Sequence, residues 1–500
     1  MIKQLGILVL LVCALNSLAQ KNHGINWIQG TGYSYKLHFK NMMPFKSIFD
    51  LNFNYYFSDG SSCISDTDGN FKILCNGFKL MDSTGTTIEG GDTITPSEFC
   101  KWEDGFSSYS QSSLILPFRN DMYYVITATA SDTMITNYWN QNIYALFDQV
   151  LYTKVDMKLN NGLGKVVSKG ISMVDNVKLS KTQMMACRHA DGVNWWVLKQ
   201  AHDTNMVYKF IVTEDSVYNL GVQGMGEPHW GYYDIKGQIM FNTQGTQYAT
   251  VAWGRNLIFL ADFNRCTGNI SNPQIRYLPI HSRSASILTL DTLAVGVCFS
   301  PNDSLLYVVK DYNLYQLDLH DPDSLTAWYR VANMDTTYDQ FQKWSALYKG
   351  PDDKVYIGNW GGLGRAMSVI DNPNVKGVGC NFCPKCLQFG TIGAKNPPCM
   401  PNYELGKDSA LLVGCTPVSL PSPPEEGVGE LVVYPNPAYS KLNIKYEIAS
   451  QSLANTKKQL YNSIGQMMLS TKENEIDVSN LPSGVYYLRC GNQVVKVVVE

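Results

Sequence analysis

The sequence is short of charge and has no run of either sign. Of its 500 residues 17% are charged, forty Lys and Arg stand against forty-three Asp and Glu, and the formal net charge is −3. A chain without a basic face has no electrostatic means of holding a nucleic acid, so no nucleic-acid partner is expected. Beyond residue 19 there is no apolar run of the roughly 20 residues that a bilayer-spanning helix needs, so no transmembrane segment is expected either. Catalytic signatures are also missing. There is no Gly-x-Ser-x-Gly elbow, no phosphate-binding loop and no His-Glu-x-x-His pair, and the seven histidines are scattered. The expectation leans away from an enzyme without closing that door, and no cofactor or metal is expected.

What is present begins with a leader. Met1–Ala19 has Lys3 ahead of an apolar run from Leu5 to Leu15, then Ser17-Leu18-Ala19 before Gln20. That pattern reads as a secretory signal peptide over 1–19, too short to span a membrane. Cys13 lies inside the run rather than after the cleavage point, which argues against a lipoprotein. Of thirteen cysteines, the twelve outside the leader are disulfide candidates in an oxidising compartment.

Thirty Tyr, nineteen Phe, ten Trp and forty Gly favour strands and tight turns. Between residues 20 and 415 one unit recurs: a polar turn, an apolar strand, a gap, then a second strand closing on Asp, Asn or Glu. The turns are Ser65–Asn70, Arg119–Asp121, His189–Gly192, Ile235–Gly237, Pro301–Asp303 and Pro351–Asp353. Asp, Asn and Gly tolerate the left-handed backbone of hairpin turns. Six units at intervals of about 45–70 residues match the blades of a β-propeller. The region before Tyr55 adds a closing strand, which makes seven blades, with six as the alternative. The whole chain is read as all-β.

Several segments resemble a propeller of secreted Bacteroidetes proteins that carry type IX sorting tails. They are Ser65–Asn70 with the following "NGFKLMDSTG", Ser112–Pro117, Asn161–Gly164, Arg188–Gly192, Phe299–Asn302 and Met400–Gly406. The likeness covers about residues 55–415 and implies no enzymatic activity.

Thr416–Glu430, "TPVSLPSPPEEGVGE", holds Pro417, Pro421, Pro423 and Pro424 and no core-forming pattern, so 416–430 is read as a stiff linker. Beyond it short strands are expected at 431–434, 441–448, 458–462, 466–470, 474–478, 484–490 and 493–499. Leu442, Ile444, Tyr446 and Ile448 alternate with polar residues, so one face is buried. Seven short strands in 431–500 suggest a small Ig-like β-sandwich.

This tail closely resembles the type A C-terminal sorting domain of the type IX secretion system. The matching residues are Tyr434-Pro435-Asn436-Pro437, Leu460-Tyr461-Asn462 with Gly465-Gln466, Ile476–Leu481, Gly484 with Tyr486 in "GVYYL", and Lys496 in the last strand. Cys490 departs from the pattern. The resemblance implies a Sec-exported cargo handed to the type IX machinery, then secreted or held at the outer-membrane surface. The reading is therefore a secreted or cell-surface propeller, a non-catalytic binding or scaffold module with an unknown extracellular ligand, protein or glycan. The alternative is a secreted propeller enzyme acting on polysaccharide or peptide.

Four clusters could carry chemistry. Cys380, Cys383, Cys386 and Cys399 have metal-like spacing, but no His lies close and the compartment is oxidising, so disulfides clamping the last blade are expected instead. Cys63 and Cys75 flank a turn. A three-residue loop at Asp68–Asn70 would set them opposite each other, and a two-residue loop would set Cys63 opposite Leu74. His189, His202, His229 and Trp230 could converge in a propeller channel as a ligand site, though His189 in a blade turn is the plainer reading. Asp66, Asp68 and Asn70 suit a hairpin turn better than a calcium loop.

Overall fold

The computed structural model describes residues 22–30, 35–40, 43–48, 56–141, 146–202, 204–226, 237–252, 256–279, 294–310, 312–323, 326–334, 343–360, 364–389, 396–413, 415, 431–434, 436–446, 458–462, 466–490 and 493–500. The expected signal peptide at 1–19 and the whole linker at 416–430 lie outside them, as do His229, Trp230, Pro435 and Gly465. The chain divides into two compact units, 1–420 and 421–500, and the break falls inside the expected linker.

The first unit is a β-propeller of seven sheets, each a meander of consecutive antiparallel strands. Blade 1 (26–48) and blade 2 (62–81) have three strands. Blades 3 (113–174), 4 (179–224), 5 (237–277), 6 (294–333) and 7 (343–388) have four. The first strands of successive blades neighbour one another, from Asn26–Gln29 round to Lys343–Lys349. Blade 1 then meets blade 7. Trp27 stands edge-on to Tyr356 at 5.1 Å, Phe39 meets the same ring at 5.6 Å, and Tyr35 meets Phe389 at 4.8 Å. The ring thus closes on an aromatic seam rather than on a shared strand. The region before Tyr55 supplies a whole blade, more than the single closing strand expected.

The hairpin turns after the first strands of blades 2–7 explain the repeat. Gly69, Asn120, Gly192, Gly245, Asp303 and Asp353 occupy these turns with φ between +58° and +85°. In five of them the amide of that residue donates to the carbonyl three residues back, at 2.9–3.1 Å. The side chain one to three residues earlier closes the loop. Asp66 Oδ1 accepts from the Asp68 and Asn70 amides, and Asp191 Oδ1 from those of Val193 and Asn194. Side-chain oxygens that satisfy local amides are why Asp and Asn recur there. Blade 5 differs from expectation. Its turn is Asn242–Gly245, and Gly237 opens the first strand instead.

Of the two registers open at Cys63 and Cys75, the one that would bridge them is not formed. Ser65 pairs with Phe71 and Ile64 with Ile73, so Lys72 is bulged out and the register shifts by one. Cys63 then pairs with Leu74 and Ser62 with Cys75. A shift of one turns side chains to opposite faces. Cys63 packs with Ile28 and Phe57, whereas Cys75 packs with Phe78 and Leu80. Nor do Cys380 and Cys399 clamp the last blade. Cys380 is buried beside Trp344 and Phe382, and Cys399 lies in the other large cluster. Among the described residues a bridge joins Cys266 of blade 5 to Cys415, with Cα atoms 5.9 Å apart.

The second unit is a two-sheet sandwich. Leu431–Tyr434, Lys441–Tyr446 and Glu475–Asp477 make one sheet. Met467–Thr471, Lys458–Asn462, Gly484–Cys490 and Gln493–Val499 make the other. Leu442, Ile444 and Ile476 from the first pack against Leu460, Leu488 and Val497 from the second.

Candidate functional site

The propeller axis is the place to look for a site, because side chains of all blades converge there. It is filled by residues 396–406. Asn396 Oδ1 accepts from Ala346 N and its Nδ2 donates to Ser345 Oγ, both in blade 7. Cys399 N donates to Ser61 O at the start of blade 2, and Tyr403 OH donates to Ile115 O in blade 3 at 2.8 Å. The Tyr403 ring meets Trp195 of blade 4 and His23 ahead of blade 1. Asn402 Nδ2 donates to Thr243 O, and Arg265 donates to Gly406 O, both from blade 5. A segment that touches blade after blade in this way has to lie on the axis. Asn396, Cys399 and Tyr403 are buried.

Neutral amides tie the first strands together around it. Gln111 donates to Ile239 O at 2.7 Å and accepts from Ile239 N at 2.8 Å. Gln238 donates to Leu347 O and accepts from the amides of Val297 and Leu347. Gln183 donates to Thr250 Oγ1 and Val251 O. All three are fully buried, and the Gln111 and Gln238 amides reproduce a strand's pairing along the free edge of a first strand. Close approach follows: a Cβ at Gly296 would stand 2.3 Å from Ser345 O.

The cations here serve packing. Lys199 is fully buried and donates to Thr182 O; burial brings its ammonium down to about 7, against a smaller lift from Cys399. Arg188 lies over the Trp195 ring at 4.1 Å, and burial lowers it to about 10. Burial pushes Cys399 up to about 12, so it is no ready nucleophile.

One cavity of about 90 Å³ opens beside the axial segment. Its walls include Trp27, Phe241, Tyr348 and Met400, with Asn242, Asn402, Lys349 and Glu404 as its polar members. Lys349 Nζ lies 2.9 Å from Asp353 and 3.6 Å from Glu404. Drug-sized ligands occupy clefts of about 300–1,000 Å³, so this one suits a small polar group or a single side chain. Its polar members can hydrogen-bond a ligand, and the two carboxylates are tied to one lysine.

The histidines that could have converged are divided, and His189 follows the plainer reading. His189 lies in the blade 4 turn; its Nε2 contacts Cys266 O and its Nδ1 lies 3.0 Å from Asp191. Burial would raise the Asp191 carboxyl, but His189 and the amides of Val193 and Asn194 outweigh it and hold it at about 2. His202 follows the strand Trp195–Ala201 at its other end, about 20 Å away at 3.3 Å per residue. Among the described residues no group of three or more His, Cys, Asp or Glu could hold a metal. The sequence reading missed the place of the axial segment, the three glutamines and the Cys266–Cys415 pair. A glutamine inside an apolar strand, as in "GQIMF", was the available signal for Gln238.

In the second unit Asn436 and Lys496 meet at one edge. Asn436 Nδ2 donates to Lys496 O and its Oδ1 accepts from Val498 N. Ala438 N donates to Val498 O, and Glu500 N to Ala438 O. Tyr486 is buried, and its OH donates to Pro482 O at 2.6 Å. Gly484 opens the strand that holds it.

Residues 432–500 match the family described as Secretion system C-terminal sorting domain. No curated protein matches the chain. Solved structures with similar backbones include a functionally unknown protein from Desulfotomaculum acetoxidans DSM 771, at 12% identity over 75% of this chain and 99% of that one, TM-score 0.38. A protein from Bacteroides fragilis NCTC 9343, described as a candidate 6-phosphogluconolactonase, is 10% identical over 71% and 92%, TM-score 0.38. AztD from Citrobacter koseri is 11% identical over 73% and 84%, TM-score 0.35. Likeness at that level carries no argument about activity.

Proposed function

We propose that the tail hands this chain to the type IX machinery, and that the propeller it carries out of the periplasm is a non-catalytic binding or scaffold module. A type IX sorting tail over 432–500 marks a secreted or surface-attached cargo. The Met1–Ala19 leader would bring the chain through the Sec route first, and among the described residues no helix is long and apolar enough to cross a membrane. The observation that carries the non-catalytic reading is the axial segment. Residues 396–406 and three buried, hydrogen-bonded glutamines occupy the axis, where side chains of all blades converge. Binding then falls to the outer faces and to the small cleft beside Trp27, with an extracellular protein or glycan as partner.

The test has two arms. Removing residues 431–500 should leave a folded propeller in the periplasm; normal appearance outside the cell would overturn the export reading. The secreted full chain should bind a component of an extracellular glycan or protein array without cleaving it. Release of reducing ends or new peptides would overturn the non-catalytic reading and leave the enzyme.

A further inference from the structure

Blade 7 ends in an irregular edge strand, Phe382–Gln388, with the sequence "FCPKCLQ". Val369 pairs with Cys383 and Met367 with Leu387, so three residues, 384–386, stand opposite the single Ser368. Lys385 takes a left-handed φ of +54°, and its amide donates to Ser368 Oγ at 3.1 Å. A bulge of this kind re-aims the side chains beside it. It folds Cys386 back, so that its Sγ donates to the Cys383 carbonyl at 3.3 Å. Cys386 is exposed and Cys383 half-exposed, while Cys380 is buried under Tyr307 and Trp344. The two outer thiols therefore form a pair apart from the third.

We propose that Cys383 and Cys386 are a redox site that closes to a solvent-exposed disulfide by exchange with the disulfide of a partner oxidoreductase. Cys383, as its thiolate, attacks a sulfur of the partner's disulfide, which breaks that bond and gives a mixed disulfide. Cys386 then attacks the Cys383 sulfur, so the mixed bond breaks as the Cys383–Cys386 bond forms. The cargo loses two electrons and two protons, and the partner leaves as a dithiol. Partial burial and the neighbouring Cys383 push the Cys386 thiol up to about 12. A site that resists becoming a thiolate pair is poor for a metal, which needs both sulfurs deprotonated, and it is relieved by a neutral bridge. The proposal takes its oxidising compartment from the export reading, but its chemistry does not depend on the route.

The experiment uses the full chain, reduced without unfolding and equilibrated in glutathione redox buffers. Free thiols are then alkylated before tryptic digestion. Trypsin cuts after Lys376, Lys385 and Lys395, so the bridge would join peptide 377–385 to peptide 386–395, and fragmentation tells Cys383 from Cys380. The linked pair is expected, and being exposed it should open at lower reductant than Cys266–Cys415. Cys383→Ser and Cys386→Ser should each abolish the link and leave the other thiol alkylated. Alkylation of both thiols in chains whose Cys266–Cys415 bridge has closed overturns the proposal, as does a bound soft metal holding both sulfurs. Oxidised chains that never reach the outside would instead count against the export reading alone.

Discussion

The Asn436 side chain pairs with Val498 as a strand would. Its Oδ1 accepts from the Val498 amide at 2.8 Å, and its Nδ2 donates to the Lys496 carbonyl at 3.0 Å. Gln493–Val499 lies at the edge of its sheet, where unpaired backbone groups invite pairing with another chain. Pro435 and Pro437 have no N–H to offer, so the amide of the residue between them does the pairing.

Asn436→Leu should therefore expose the Val498 amide. Hydrogen exchange of the full chain should show lost protection at Val498, and the second unit should lose about 0.5–1.5 kcal/mol. Asn436→Asp should be no milder, since it keeps the acceptor for Val498 but sets a carboxylate against the Lys496 carbonyl. Unchanged Val498 exchange in both variants would refute the capping role.

The tail was legible in the sequence because its strands alternate cleanly and its breaks fall at Pro, Gly and Asn. Blades 2, 3, 4, 6 and 7 were legible for a similar reason: Gly69, Asn120, Gly192, Asp303 and Asp353 sit where the backbone must turn left-handed. Blade 5 was misplaced because Asn242-Thr243-Gln244-Gly245 resembles a turn less than Ile235-Lys236-Gly237 does. Blade 1 was underestimated because its partner, Tyr356, is more than 300 residues away. Met400–Gly406 was marked in the sequence, but its place on the axis could not be read. It has no period, and its bonds run to scattered backbone groups such as Ser61 O, Ile115 O and Thr243 O.

The Cys266–Cys415 bridge spans 149 residues and fixes the exit of the axial segment to blade 5. Closing a loop that long should contribute about 3–5 kcal/mol through the unfolded chain. Cys415→Ser should lower the melting temperature of the first unit. It should also raise exchange at Asp408, whose amide donates to Ala190 O near the bridge. Equal melting of variant and parent under non-reducing conditions would refute this.

Lys199 makes stability depend on pH in a definite direction. Burial lowers its folded value to about 7 from an ordinary 10.5. Between those values the unfolded chain holds the proton and the folded chain does not, so this lysine's contribution rises with pH. Below about 7 both states are protonated and the cost of a buried ammonium is present in full. Denaturant titrations should show wild type gaining on Lys199→Met by roughly 1–3 kcal/mol between pH 7 and 10. A difference that shrinks or reverses would mean that Lys199 stays charged in the fold.

Asp303 and Asp353 hold the same left-handed φ of +58° but should respond oppositely to glycine. Either change relieves about 1 kcal/mol of backbone strain. Asp353 gives up only its contact with Lys349, from a half-exposed carboxylate, and exposed ion pairs contribute about 0–1 kcal/mol. Asp303 gives up more. Its carboxylate accepts from Thr243 N at 2.8 Å and Thr243 Oγ1 at 2.6 Å, fastening blade 6 to blade 5. Hydrogen bonds to a charged group contribute about 1.5–3 kcal/mol each, so their loss outweighs the relief. Thermal melts should find Asp353→Gly neutral or slightly stabilised and Asp303→Gly destabilised by about 2–5 kcal/mol. Asp303→Asn should fall between, since it tolerates the left-handed backbone and keeps one acceptor. If Asp303→Gly melted no lower than Asp353→Gly, the inter-blade bonds would not be what keeps aspartate at that turn.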